Sequence, residues 1–352
     1  MTVLVPAARC DCRVCPFYVD NPTAAEPVCS GCNSSCSYCG CARAEGAYAD
    51  CGQCPIRCGS RVDITAWMAD ASGTVQFDDI RVDMRIPPEL PKFIPQVDGH
   101  GLERFDRAAQ WGAYAIGLRR VLSPDTHRIF PKFTDTSAHE ALGLPAERLL
   151  LLTGYGEDPL VEAFWTRRHQ LIPELVAMGW DIIQTPNFSM YGNQPRAEHL
   201  LNMRRNLTIA AEFAAAGAPC PIPNIYWYRL EDLQRYVTWL EATRPAAIAI
   251  NLQTYRTDTD WSDMALPGLT YLSLTMPAGI KVLVTGASRA DRISQLTGLF
   301  PNLHLVAQNA QAYARHGAVM TPSGRQDVKA RVEDAFAANV RFYDQVLTQE
   351  AK

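Results

Sequence analysis

From residue 92 onward the chain alternates short apolar runs with amphipathic stretches, at intervals of about 20 to 50 residues. That alternation predicts a parallel α/β fold, because each apolar run needs helices to cover it and each helix needs a sheet to bury its apolar stripe. The predicted strands are KFIPQVDG (92–99), RLLLLTGYG (148–156), WDIIQTPNF (180–188), CPIPNIYWY (220–228), AIAINLQTY (247–255), IKVLVTG (280–286), LHLVAQN (303–309) and a weaker last one, GAVMTP (317–322). Their interiors are nearly unbroken apolar runs, as strands buried on both faces require. Residues 159–178 carry Val161, Phe164, Trp165, Ile172, Leu175 and Val176 at helical spacing, and 196–216, 231–243, 289–300 and 326–348 behave likewise. Eight strands suit closure, so the expected fold class is α/β, a (β/α)8 TIM-like barrel over 92–352. The competing doubly wound open sheet would call for G-x-G-x-x-G after the first strand or G-x-x-x-x-G-K-S/T, and neither occurs.

Ahead of the barrel the pattern changes. Residues 61–91 read as a connecting segment with a short helix, one or two strands and a proline-rich end near Pro87 to Pro91. Residues 1–60 form a separate module, and within it residues 9–60 hold few large apolar side chains beyond Phe17, Tyr18, Tyr38, Tyr48 and Ile56, too few to build a core. Its content is cysteine: Cys10, Cys12, Cys15, Cys29, Cys32, Cys36, Cys39, Cys41, Cys51, Cys54 and Cys58, eleven of the chain's twelve.

An odd cluster, with no export signal at Met1 to Ala8, argues against disulfides and for metal. The C-x-C-x-x-C, C-x-x-C and C-x-x-x-C spacings place thiolates in pairs on tight turns, as tetrahedral coordination needs. The first histidine is His100, so a mixed Cys/His finger inside the module is excluded. Zinc and a 4Fe–4S cluster both accept all-cysteine sites, and the Cys15-Pro16 and Cys54-Pro55 steps lean toward iron.

Charge and hydropathy narrow the partners. A formal charge of -4 offers no global pull toward nucleic acid or an anionic membrane, so such a partner would need a local basic patch. There is no apolar run of 18 residues; the expectation is a cytoplasmic protein without membrane contact, and a homodimer is compatible with it.

In a barrel, chemistry gathers where the strands end on their C-terminal side. The predicted ends bring together Asp98 and His100; Tyr155 and Asp158; Asn187, Ser189 and Tyr191; Asn224, Tyr226 and Trp227; Asn251 and Gln253; Arg289; and Gln308 and Asn309. Amides hydrogen-bond planar heterocycles and aromatic rings stack on them, so this set suits a nucleobase-like ligand better than a sugar or phosphate.

The run 280–324, from IKVLVTGASRAD to ARHGAVMTPSG, resembles the end of the tRNA-guanine transglycosylase barrel, with Ala314, Arg315, Gly317, Thr321 and Gly324 matching an A-R-x-G-x-x-x-T-x-x-G run. Residues 220–255 are similar to that family's strand, E-D-L-R-type helix and next strand. Residues 185–217 stand where a strand-end acid precedes an arginine-bearing helix, and they also resemble a group of barrel proteins carrying PNFS or PDFS before an N-x-x-R helix. The resemblance covers roughly 180–325. It implies an enzyme that exchanges guanine for a 7-deazaguanine base in DNA, favoured here, or in tRNA, through a covalent aspartate–sugar intermediate. Where the family pattern wants acids, this chain has Asn187 and Asn309; a carboxamide cannot attack an anomeric carbon, so the role would fall to Asp98 or Asp158. The family's C-x-C-x-x-C zinc triplet follows the barrel, whereas Cys10, Cys12 and Cys15 precede it.

Two alternatives stand beside this reading. Cys32, Cys36 and Cys39, with Tyr38 before the last, resemble the motif of radical S-adenosylmethionine enzymes, and LTGYGEDPL (152–160) is similar to that family's G-G-E-P turn. The resemblance would imply S-adenosylmethionine as cofactor, although no apolar strand precedes Cys32. Alternatively, the cysteine module docks nucleic acid without catalysis, and Arg196, Arg204 and Arg205 contact phosphates.

Overall fold

A computed structural model of the chain describes residues 20–24, 69–87, 89–190 and 196–349. The eleven clustered cysteines therefore lie outside the described residues, and so do the zinc and iron–sulfur readings that rest on them.

Eight parallel strands form one sheet: β1 (Phe93–Val97), β2 (Ala113–Gly117), β3 (Leu149–Thr153), β4 (Ile182–Gln184), β5 (Pro221–Ile222), β6 (Ala247–Asn251), β7 (Lys281–Thr285) and β8 (Leu303–Ala307). Their order is β5-β4-β3-β2-β1-β8-β7-β6, and a parallel bridge between Asn224 and Ala249 joins the two outer strands, giving a nearly closed TIM-like barrel. Around it run α1 (Leu102–Ala109), α2 (Ala138–Leu142), α3 (Asp158–Ala177), α4 (Arg196–Ala215), α5 (Leu230–Thr243), α6 (Leu266–Thr275), α7 (Ala290–Leu299), α8 (Asn309–Arg315) and, after a hairpin, α9 (Val332–Gln349). No helix among the described residues is long and apolar enough to cross a membrane.

Two of the predicted elements need correction. Residues 317–322 are not the eighth barrel strand; Ala318–Thr321 pairs antiparallel with Gly324–Asp327 in a half-exposed hairpin after the barrel, and this hairpin also delays the last helix, expected from 326, until Val332. The eighth position in the ring belongs to β2, AYAIG. Its alanines Ala113 and Ala115 fill the narrow barrel interior while Tyr114 and Ile116 join the outer core, a small–large alternation with none of the branched-residue density that marks the other strands.

Residues 71–82, within the predicted connecting segment, pack into the same core as the helices through Ala71, Val75, Phe77, Ile80 and Val82. Polar clamps hold this strap to α3, α4 and α5. Buried Arg204 donates to the Ala71 carbonyl at 2.6 Å and grips both Asp79 oxygens at 2.7 and 2.6 Å, Arg168 pairs with Asp70 at 3.0 Å, and the Trp239 indole donates to the Ile80 carbonyl at 3.0 Å. Beneath it, Arg205 makes a two-pronged bond to Glu162 at 3.0 and 2.6 Å and lies 3.8 Å over the Phe188 ring. These arginines are interior structural cations, so the α4 face formed by Arg204 and Arg205 does not present them to a phosphate. The Arg196 side chain lies outside the described residues.

Candidate functional site

Side chains alternate across a strand, so inward positions recur every second residue. The lower inward layers are apolar: Ile94, Ala113 and Ala115, Leu151, Ile182, Ile222, Ala247 and Ala249, Leu283 and Val306, with Leu90 among them and Cys220 buried beside them. Burial pushes the Cys220 thiol up to about 12, so it is an inert apolar filler. Continue each strand by one inward step toward its C-terminal end, and the chemistry changes at seven of the eight. The next residues are Gln96, Gly117, Thr153, Gln184, Asn224, Asn251, Thr285 and Gln308. The top of the cylinder is thus a ring of carboxamides and hydroxyls, interrupted by one glycine.

Contacts within the ring are sparse. Thr285 donates to the Gln184 carbonyl oxygen at 3.4 Å across the barrel, leaving the Gln184 Nε2 without a partner among the described residues although the residue is fully buried. Gln96, 8% exposed, leaves its Oε1 equally unpaired. Tyr155 donates to Asn224 Oδ1 at 2.5 Å, and the Asn224 amide in turn donates to the Thr185 carbonyl. Burial raises the Tyr155 pKa far above its ordinary value and keeps the phenol a neutral donor. Gly154 allows this arrangement, because a Cβ there would fall on the Pro186 nitrogen and 2.6 Å from the Thr185 carbonyl carbon.

Above Gln96 and Gly117 opens a cavity of about 360 Å³ at the ends of β1, β2 and β8. Asp98 forms its wall. Its Oδ1 accepts from the His100 amide and from Gln311 Nε2, both at 3.2 Å, and its Oδ2 pairs with Arg315 at 2.5 Å. Burial alone would raise this carboxyl; the His100 amide, Arg315 and Gln311 outweigh it and hold Asp98 below the usual carboxylate range. Gln308, Arg119 and Arg120 line the exposed side, with Arg119 pairing with Glu157 at 2.8 Å.

A second polar group sits at the ends of β3 to β6. Asp158 opens α3 and accepts from the Ser189 hydroxyl at 2.9 Å. Burial, and then the Asp158 charge, push the Tyr226 phenol up, while Trp227 stacks on Tyr255 with centroids 6.5 Å apart. Asn187 is 8% exposed and its Oδ1 has no partner among the described residues. Asn251 folds back to accept from the Gln253 amide at 3.0 Å, and Arg289, exposed, pairs with Asp258 and with Asp291 at 2.7 Å.

The structure therefore brings Asp98, Gln308 and Arg315 into one cavity, with the His100 backbone amide bonded to Asp98, and sets Asp158, Ser189 and Tyr226 together at another part of the mouth. Asn309 instead faces Tyr343 of α9, in the outer layer. Tyr191 lies outside the described residues. Sequence reasoning missed Gln96, Thr153, Gln184 and Thr285, polar residues within or at the ends of strands whose period-two pattern could have pointed inward, and it missed Arg119, Arg120 and Gln311. A larger groove of about 640 Å³ lies between the 129–140 loop and the C-terminal end of α3, at the opposite end of the barrel from this chemistry. Among the described residues, no cluster of three or more His, Cys, Asp or Glu is arranged to hold a metal ion. The chain matches no protein-family model, and no curated protein matches it.

Proposed function

We propose that the barrel exchanges guanine for a 7-deazaguanine base in a nucleic acid, DNA before tRNA, with Asp98 as the reacting carboxylate. The observation that supports this most is Asp98 itself, a carboxylate kept ionised at the wall of a cavity lined by Gln96, Gln308 and Gln311 as well as by three arginines. An ionised carboxylate can attack an anomeric carbon: the bond from Asp98 to C1′ forms as the bond from C1′ to the guanine nitrogen breaks, and the departing base takes up a proton. The incoming base gives up a proton and reverses the step. Gln96, Gln308 and Gln311 supply the donors and acceptors that a flat, lactam-bearing heterocycle needs on its edges. Attack by Oδ2 requires Arg315 to move aside; its side chain is 45% exposed, so the pair is readily opened.

The test is transfer of a radiolabelled 7-deazaguanine into DNA and into tRNA by the full chain purified without oxygen. Incorporation that disappears in Asp98→Ala and persists in Asp158→Ala supports the assignment. Unchanged incorporation by Asp98→Ala overturns it.

A further inference from the structure

The mouth cavity is chemically two-ended. At its inner end lies Gln96, whose buried Oε1 has no donor among the described residues. Gly117 keeps that end open: a Cβ there would stand 3.2 Å from the Gln96 amide nitrogen. At its outer end are cations. Arg119 and Arg120 project from the turn Leu118–Arg120 that directly follows β2. The turn is fixed, because Leu118, Val121 and Leu122 are buried and the Val121 amide bonds the Leu118 carbonyl at 2.9 Å.

The charges there do not balance. Asp98 is taken by Arg315, and Glu157 by Arg119 in a pair whose side chains are each 56% exposed. Arg120, on the same cavity, has no carboxylate partner among the described residues. Two arginines lining one cavity from a single rigid turn suit a tetrahedral oxyanion, to which arginine offers paired donors in a fixed fork. An exposed carboxylate pair such as Arg119–Glu157 is worth little and yields readily to a doubly charged ligand.

We infer that Arg119 and Arg120 form a phosphate subsite for a nucleotide bound head-in, its base against the Gln96 side chain and its phosphate on the β2 turn. This rests on the preceding reading only in placing a base in the cavity. The phosphate is either that of a free nucleotide or one within a strand, and the two are separable by experiment.

The full chain, purified without oxygen, is titrated with guanosine, guanosine monophosphate and a guanine-containing trinucleotide at low and at 0.5 M salt (about 4 Å Debye length in the latter). The monophosphate or the trinucleotide binds about tenfold or more tightly than the nucleoside at low salt, equal to roughly 1.4 kcal/mol, and the advantage shrinks at high salt. A ratio seen with the monophosphate identifies a free nucleotide; one seen only with the trinucleotide identifies a strand. In Arg119→Ala/Arg120→Ala the advantage vanishes while guanosine affinity holds, with circular dichroism confirming the fold. Gln96→Leu weakens nucleoside and nucleotide by the same factor. Equal binding of all three ligands, absence of binding by any, or a phosphate advantage that survives the double substitution overturns the subsite. Loss of base exchange with the advantage intact would remove the preceding reading and leave this one standing.

Discussion

Arg315 Nη2 lies 2.5 Å from Asp98 Oδ2, joining the end of β1 to the helix that follows β8. Asp98 also accepts from Gln311 one turn earlier on that helix, so a single carboxylate fastens the last barrel segment to the first. Because the folded state holds Asp98 below its ordinary value, its ionised form stabilises the fold. That contribution is complete above the unfolded carboxylate value of about 3.9 and is lost as pH falls through the depressed folded value. Asp98→Asn should therefore be less stable than the parent above about pH 4, by roughly 1 kcal/mol or less given the exposure of Arg315, and the difference should close toward pH 2. Denaturant titrations at a series of pH values read this directly.

Arg205 and Glu162 form the most deeply buried ion pair among the described residues, with side chains 0% and 8% exposed. Removing Glu162 takes a two-pronged carboxylate from a fully buried guanidinium and leaves it the Asn202 side chain, so Glu162→Ala should cost about 3 kcal/mol or more in urea unfolding. Replacing both with Met and Leu should recover most of that loss, since a well-packed apolar pair avoids the desolvation of two ions. Equal losses in the single and double variants would contradict the argument.

Gly154→Ala should be destabilising by about 3 kcal/mol or more, because the added methyl would run into the Thr185–Pro186 backbone, which cannot rotate away as a side chain could. Gly298→Ala is the control. A Cβ at Gly298 meets nothing within 4 Å, and the position is helical, so that substitution should be neutral or stabilising by up to about 1 kcal/mol.

The chain purified without oxygen should carry metal bound by its amino-terminal thiolates. Elemental analysis and an absorption spectrum separate the outcomes: an absorption band near ~400 nm marks an iron–sulfur cluster, and a colourless zinc protein removes the radical S-adenosylmethionine alternative. Ten of the eleven clustered cysteines found joined in disulfides, with no metal, would defeat the thiolate reading.

Seven of the eight barrel strands were legible in the sequence because their branched and aromatic runs are long and apolar. β2 was not, since a strand built of Ala113, Ala115 and Gly117 on its inward face lacks the bulk that a reader looks for; its small residues serve the geometry of a tight cylinder. The site followed the same logic. Asp98, Asn224, Asn251 and Gln308 stand at predicted strand ends and were found. Gln96, at the fourth position of FIPQV, and Arg119 and Arg120, just past the missed strand, were not. Asn309 illustrates the converse: one residue beyond Gln308, it turns with the start of α8 to the outer layer.

β5 contributes only two residues, and with prolines at 221 and 223 it cannot offer a full ladder of donors. Its junction with β6 rests on the Ile225 amide to the Ala249 carbonyl at 2.8 Å and the Ala249 amide to the Pro223 carbonyl at 2.9 Å. The staves of this cask are therefore not equally hooped. One thin joint runs beside Asn224 and Asn251, where two backbone hydrogen bonds and a single bridge close the ring.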